Sequence, residues 1–316
     1  MNAITERLGR SWELFRRSIL VIRDHPKLLV FPALTGLLTT AIALFFLVPV
    51  LLAIVLPQWL GGSALSAIPQ SLGFIQQQDG ANISFQTSPV GMLVLGVVYL
   101  VEMFLATFCG VAFNSEILEA LGGNPVSIRH GVQVACARWK SILLWSLLAG
   151  VVGLIIRALE ERLSFVGRWV AGLIGLAWSV AAIFAVPILV REPSTSNPIK
   201  ILSRSAETIK RTWGETLVGY VGVKGANLLF FLASILFWVA AGAVAYVLSN
   251  PWMLAVAGGA WLACLIVYGY LAGIASQVYL CALYVYASEG TVPNAYDESM
   301  MGMAWKMKKE RALRAG

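Results

Sequence analysis

Residues 89–125 read PVGMLVLGVVYLVEMFLATFCGVAFNSEILEALGGNP. The run 89–113 is long enough to cross a bilayer, which takes about 20 mostly apolar residues. Its one charge is Glu102, and the chain then reaches Glu119 and, five residues on, Asn124-Pro125. The same exit recurs at Glu192 with Asn197-Pro198 and at Glu289 with Pro293-Asn294. Self-similarity at this spacing predicts a module of about 75 to 100 residues used three times.

Working outward, the whole chain has the composition of that stretch. It is 59% hydrophobic and 12% charged, with a mean hydropathy of +0.78, against about 25% charged residues in a soluble domain. Apolar runs at 28–56, 89–113, 140–157, 169–190, 216–248 and 252–286 predict six spans. The first is too long for a signal-peptide core and lacks a small-x-small cleavage site before Pro57, so it reads as retained. The expected fold is all-α: one polytopic membrane domain over 1–316, six transmembrane helices as three hairpins with cytoplasmic amphipathic helices. Its pseudo-repeats fall at about 1–113, 114–190 and 191–290, followed by a tail, 291–316.

The positive charges orient the chain. Arg7, Arg10, Arg16, Arg17, Arg23 and Lys27 precede the first span, further Lys and Arg residues fill 114–140, 191–215 and the tail, and 57–88 and 249–251 have none. By the positive-inside rule both termini are expected in the cytoplasm. The net charge of +7 then sits on one membrane face, where anionic lipid is the expected partner and nucleic acid is not. The 157–168 turn is the exception, with Arg157, Glu160, Glu161, Arg162 and Arg168 on the outer face. Arg157 and Glu161 stand one helical turn apart, so local pairing offsets part of that charge.

A basic helix precedes each hairpin. Ile4, Leu8, Trp12, Phe15, Ile19 and Ile22 recur at steps of three and four, as do Ile199, Leu202, Ala206, Ile209 and Trp213, with Pro198 in the first turn. Ile128, Val132, Ala135 and Trp139 form a weaker copy after Pro125. Such helices are expected to lie in the membrane interface. Arg7, Arg10, Arg16, Arg17, Lys200, Arg204, Lys210 and Arg211 would then meet lipid headgroups.

Charges inside spans are costly, at least about 2.5 kcal/mol each on insertion scales, and face a partner, a wet cavity or the bundle interior. Glu102 and Lys224 are the two, at depths of roughly 16 and 12 Å from the cytoplasmic ends, with Asn227 on the face of Lys224. They fit a structural ion pair, a protonatable or ion-coordinating Glu102 in a pathway, or a snorkelling Lys224. Gly269 and Gly273 form a G-x-x-x-G that suits helix packing within the chain or self-association. Cys109, Cys136, Cys264 and Cys281 have no C-x-x-C spacing and lie outside the external loops, so they are expected as reduced thiols. His25 and His130 lack a second ligand at metal spacing. No phosphate loop, H-E-x-x-H, dinucleotide fingerprint or nucleophile triad occurs, and no cofactor is expected.

Arg157-Ala-Leu-Glu160-Glu161-Arg162, Gly167-Arg168, Ala177-Trp178-Ser179, Val186-Pro187, Arg204-Ser205-Ala206 and Arg211-Thr212-Trp213-Gly214-Glu215 resemble the uncharacterised bacterial six-span family called domain of unknown function 6159. The resemblance covers roughly 110–290. It implies a bacterial inner-membrane protein of six helices and carries no activity, cofactor or catalytic residue; Glu102 and Lys224 are not part of its pattern. Three functional readings follow. The first is a non-enzymatic homo-oligomer that forms or supports a pore or transport path for ions or small solutes. The second is a scaffold that organises anionic lipid through its basic helices. The third is an envelope lipid or glycan enzyme using the outer-face carboxylates.

Overall fold

Inside a bilayer no water bonds the backbone, so a spanning segment must satisfy its own N–H and C=O groups, and a helix does so locally. The computed structural model describes residues 16–60, 74–79, 82–193, 195–250, 252–293 and 296, with the side chains at 46, 47, 49–60, 74–87, 165, 166 and 211–229 outside the description. Among the described residues, six helices are long and apolar enough to cross a membrane.

Helix α1 covers 16–24 and is followed by a single 3-10 turn, Pro26–Leu29. Next come α2 (Val30–Leu60), α3 (Pro89–Leu121), α4 (Ile128–Ala137), α5 (Trp139–Arg162), α6 (Phe165–Ala181), α7 (Ala185–Arg191), α8 (Pro198–Val247) and α9 (Trp252–Glu289). The 57–88 segment, expected as an external loop, carries an antiparallel ribbon of β1 (Phe74–Asp79) and β2 (Asn82–Thr87), with Phe74 opposite Thr87 and Asp79 opposite Asn82. Starts and stops follow local chemistry. Ser88 Oγ accepts from Gly91 N at 3.2 Å and Asn197 Oδ1 accepts from Ile199 N at 2.9 Å, each beside a proline that has no N–H to lose. Gly123 (φ 82°) follows α3 and Gly290 (φ 69°) follows α9, the left-handed geometry that closes a helix end.

The recurrent glutamates all stand at helix ends, but their partners differ. Asn124 N donates to Glu119 O at 2.9 Å and Asn124 Nδ2 to Glu119 Oε2 at 2.7 Å, closing the first exit. Glu192 instead pairs with Arg204 and accepts from Thr195 Oγ1 at 3.3 Å, while Asn197 caps α8. Glu289 reaches Arg191 at 3.4 Å, and Asn294 lies outside the described residues.

Helix α3 is the hub, in contact with α2, α4, α5, α7 and α9. Its 33 residues measure about 50 Å and the 38 of α9 about 57 Å, well beyond a hydrocarbon core of about 30 Å. The surplus is packed against protein. Along α3 the exposed apolar residues run from Val90 to Val101, whereas Val111 to Leu118 are all buried; α9 changes the same way between Val267 and Ile274. Gly150 of α5 faces Tyr99 and Leu100 of α3, and Gly153 faces Tyr99, so the antiparallel pair sets exposed Trp139 level with about residue 111. Below that level the ends of α3 and α9 share one core with α1, α4, α7 and the start of α8. We call this the basal end.

The short basic helices therefore spend their apolar faces on protein. Ser18, Val21 and Ile22 of α1, Gly131 and Ala135 of α4, and Ile201, Ser205 and Ile209 of α8 are buried. This face is rotated from the predicted stripe, leaving Val132 and Ile199 exposed. The third of these helices is also no separate element, because α8 runs on for 50 residues through the fifth apolar run.

Gly131 of α4 lies in close backbone contact with α3. A Cβ there would meet Ala112 O at 2.7 Å, Glu116 Cγ at 3.0 Å and Phe31 Cζ at 3.1 Å. Gly131→Ala is expected to cost about 1–3 kcal/mol through overpacking and to lower the thermal unfolding midpoint in detergent. Gly172→Ala, with nothing within 4 Å of the new methyl, does not lower it.

Candidate functional site

The fourth span is interrupted. Between α6 and α7 the bonds Ile183 N→Val180 O (3.2 Å) and Ala185 N→Ala182 O (3.0 Å) reach back three residues instead of four. Pro187 adds to the break because it has no N–H for the carbonyl four residues earlier. A buried N–H left without an acceptor is costly, and Phe184 N finds one in Ser205 Oγ of α8 at 3.0 Å, both residues being fully buried. At the other end of α7, Arg138 Nη1 donates to Leu189 O at 2.9 Å, a cation on the last carbonyls of a helix.

Beside this interruption lies a cavity of about 240 Å³ between α2, α3, α7 and α9. Pro32 and Thr35 line it from α2, Gly110, Phe113 and Asn114 from α3, Val186 from α7, and Gly273 and Gln277 from α9. Asn114 is 1% exposed, and its bonds order the wall. Its Nδ2 donates to Gly110 O at 2.7 Å, and its Oδ1 accepts from Gln277 Nε2 at 2.9 Å and from the Cys281 thiol at 2.8 Å. Two larger hollows have fewer convergent polar groups. One of about 640 Å³ lies between Phe230 of α8 and Trp261 of α9, and one of about 490 Å³ lies beside Arg168 and Trp169. A site is marked by such convergence inside a concave, mostly apolar setting, which singles out the Asn114 cavity.

Around it the basal end is held by polar ties. Glu116, fully buried, accepts from Ser127 N at 2.6 Å and lies 2.7 Å from His130 Nδ1, so it anchors the start of α4. Ser18 and Tyr296 hydroxyls meet at 2.9 Å, and burial pushes the Tyr296 phenol above its ordinary pKa while that bond pulls it down. Tyr270 Oη of α9 donates to Leu29 O ahead of α2. The bond to Glu192 and its charge raise the pKa of the exposed Arg204 guanidinium.

The residues expected from sequence fall into three places. Glu102 is half-buried on α3, while the side chains of Lys224 and Asn227 on α8 lie outside the described residues. Glu102 stands two helical turns from Cys109 on the cavity-lining face of α3, about 10 Å further from the basal end. In the 157–168 cluster Arg157 Nε reaches Glu161 Oε1 at 3.0 Å, both well exposed, and Glu160, Arg162 and Arg168 are exposed as well. Of the headgroup set, Arg16, Lys200 and Lys210 are exposed at the basal end, Arg17 is half-buried and Arg204 is paired with Glu192. Arg7, Arg10 and the side chain of Arg211 lie outside the described residues. All four cysteines are free thiols, Cys109 and Cys281 buried and Cys136 and Cys264 exposed.

Asn114, Gln277 and Ser205 were not singled out from the sequence. Gln277 carried a readable signal, an amide alone in an apolar run, which in a membrane helix calls for a partner.

Residues 89–294 match the model of a family of unknown function, DUF6159. The chain belongs to this family. Searches of curated proteins and of solved structures returned no match. As a DUF6159 member the chain is an integral membrane protein with six apolar helices, and the matched region contains the interrupted span, Asn114 and Gln277.

Ser205→Ala removes the acceptor of Phe184 N–H at a fully buried site. The expected loss is about 1–3 kcal/mol, read as a lower unfolding midpoint, with Ser203→Ala on the exposed side of α8 as the neutral control.

Proposed function

We propose that this DUF6159 protein is a non-enzymatic, self-associating membrane protein that forms or supports a transport path for ions or small polar solutes, and that the path runs through the Asn114 cavity. The observation that supports this reading is the meeting of two carboxamides in a cavity beside an interrupted span. Irregular backbone at membrane depth is tolerated where it is packed by protein or lines a cavity, and broken helices frame the sites of many carriers. Glu102, two turns beyond Cys109 on α3, would carry the path toward the opposite end. The setting is a bacterial inner membrane with the basal end in the cytoplasm, a placement that agrees with exposed Arg16, Lys27, Lys140, Lys200 and Lys210 at that end. Homo-oligomerisation and contact with anionic lipid belong to the same proposal. The lipid-scaffold reading draws less support, because the apolar faces of α1, α4 and early α8 are turned into the core.

A Cβ added at Gly273 meets nothing within 4 Å, so Gly273→Leu can place its side chain in the cavity that Gly273 lines. In liposomes made with anionic lipid, the purified chain is expected to pass small solutes or ions and Gly273→Leu to pass them at least about tenfold more slowly, a change of about 1.4 kcal/mol in barrier. Gly259→Leu, on an exposed face of α9, keeps the wild-type rate. Equal flux through both variants removes the cavity from the path, and crosslinking in the same vesicles reads self-association.

A further inference from the structure

The hydrogen bonds of the cavity wall fix which atoms remain for a ligand. Gly110 O can only accept, so the Asn114 nitrogen must be the atom that faces it, and the Asn114 oxygen faces α9. Gln277 must then turn its own nitrogen to that oxygen, which leaves its Oε1 as an atom still to be satisfied. Thr35 Oγ1 donates its proton to Phe31 O at 2.8 Å and so offers lone pairs. Pro32 has no N–H, and Cys109 brings only a weak thiol donor. Each carboxamide nitrogen keeps one further N–H, and the oxygens left to accept from or coordinate a guest are Gln277 Oε1 and Thr35 Oγ1. The Phe113 ring also lines the space, and an aromatic face attracts cations. Among the described residues no Lys or Arg lines it, and Glu102 stands on α3 two helical turns beyond Cys109.

We infer that the cavity binds a small monovalent cation, held by Gln277 Oε1 and Thr35 Oγ1 and supported by the Phe113 ring. The inference rests on the transport reading for its biological meaning and names the class of species carried. Neutral oxygens suit a monovalent ion that must leave again, since binding along a path has to be weak enough for release. Asn114 is a positioning residue here, because it acts only by orienting Gln277.

The test uses the purified full chain in detergent, with its unfolding midpoint followed during titration with potassium chloride, ammonium chloride and N-methylglucamine chloride. A saturable rise with potassium or ammonium and none with the bulky organic cation is expected, the chloride being common to all three. Gln277→Leu and Thr35→Val each weaken the apparent affinity at least about tenfold, and Gly273→Leu abolishes the response. An equal rise with all three salts, a response to glycerol in place of the salts, or unchanged affinity in the two acceptor variants overturns the assignment. Liposome flux separates the two claims. Cation binding without flux leaves the site assignment standing and removes the transport reading. Flux of chloride or glycerol at rates that do not depend on the cation removes the assignment and leaves the path.

Discussion

The surplus length of α3 and α9 governs this structure. Each helix exceeds the hydrocarbon thickness by roughly 20 Å or more, and the excess of both falls at the same end. An apolar helix end projecting beyond lipid must be covered, and α1, α4, α7 and the start of α8 supply that cover. Soluble-like packing below the membrane and lipid-facing apolar surface above it are two results of one mismatch. The cavity lies where they meet, because there α3 and α9 pass from lipid contact to protein contact.

That boundary also explains why the polar residues can be retained. Deep in lipid an amide without a partner is expensive, and in open water its bonds would be worth little. Asn114 and Gln277 sit between these limits, screened by Phe113, Val186 and Ile274 yet only a few turns from the basal end. Their mutual bond joins residues 163 positions apart, so it also ties the second span to the sixth. The interruption at 182–184 uses the same solution in the backbone, with a hydroxyl from another helix replacing the missing helical acceptor.

The six apolar runs and the Glu-marked exits were legible because length and hydropathy are one-dimensional signals. Glu102 could be found the same way, as a charge inside a run. The interruption was missed because Ile183, Phe184 and Ala185 are as apolar as the helix around them, and only Pro187, inside the run, marked it. The buried faces of the short helices were misread by a rotation, because periodicity weights large apolar side chains, whereas Ser18, Gly131 and Ser205 are buried for their small size. Asn114 lies one residue past the predicted end of its span. Its pairing with Gln277 depends on tertiary contact that no local window contains.

Helix α8 joins two regions usually held by separate elements. Its 50 residues make a continuous rod of about 75 Å, and near its start Ser205 holds the open backbone of the fourth span. A helix resists stretching along its axis, so a displacement imposed at its far end, near Val247, arrives at Ser205 with little attenuation. The rod thus works as a connecting shaft: whatever pushes on the far end of the fifth span strains the Ser205 bond, one of the ties that keep the interrupted segment, and Val186 with it, against the cavity.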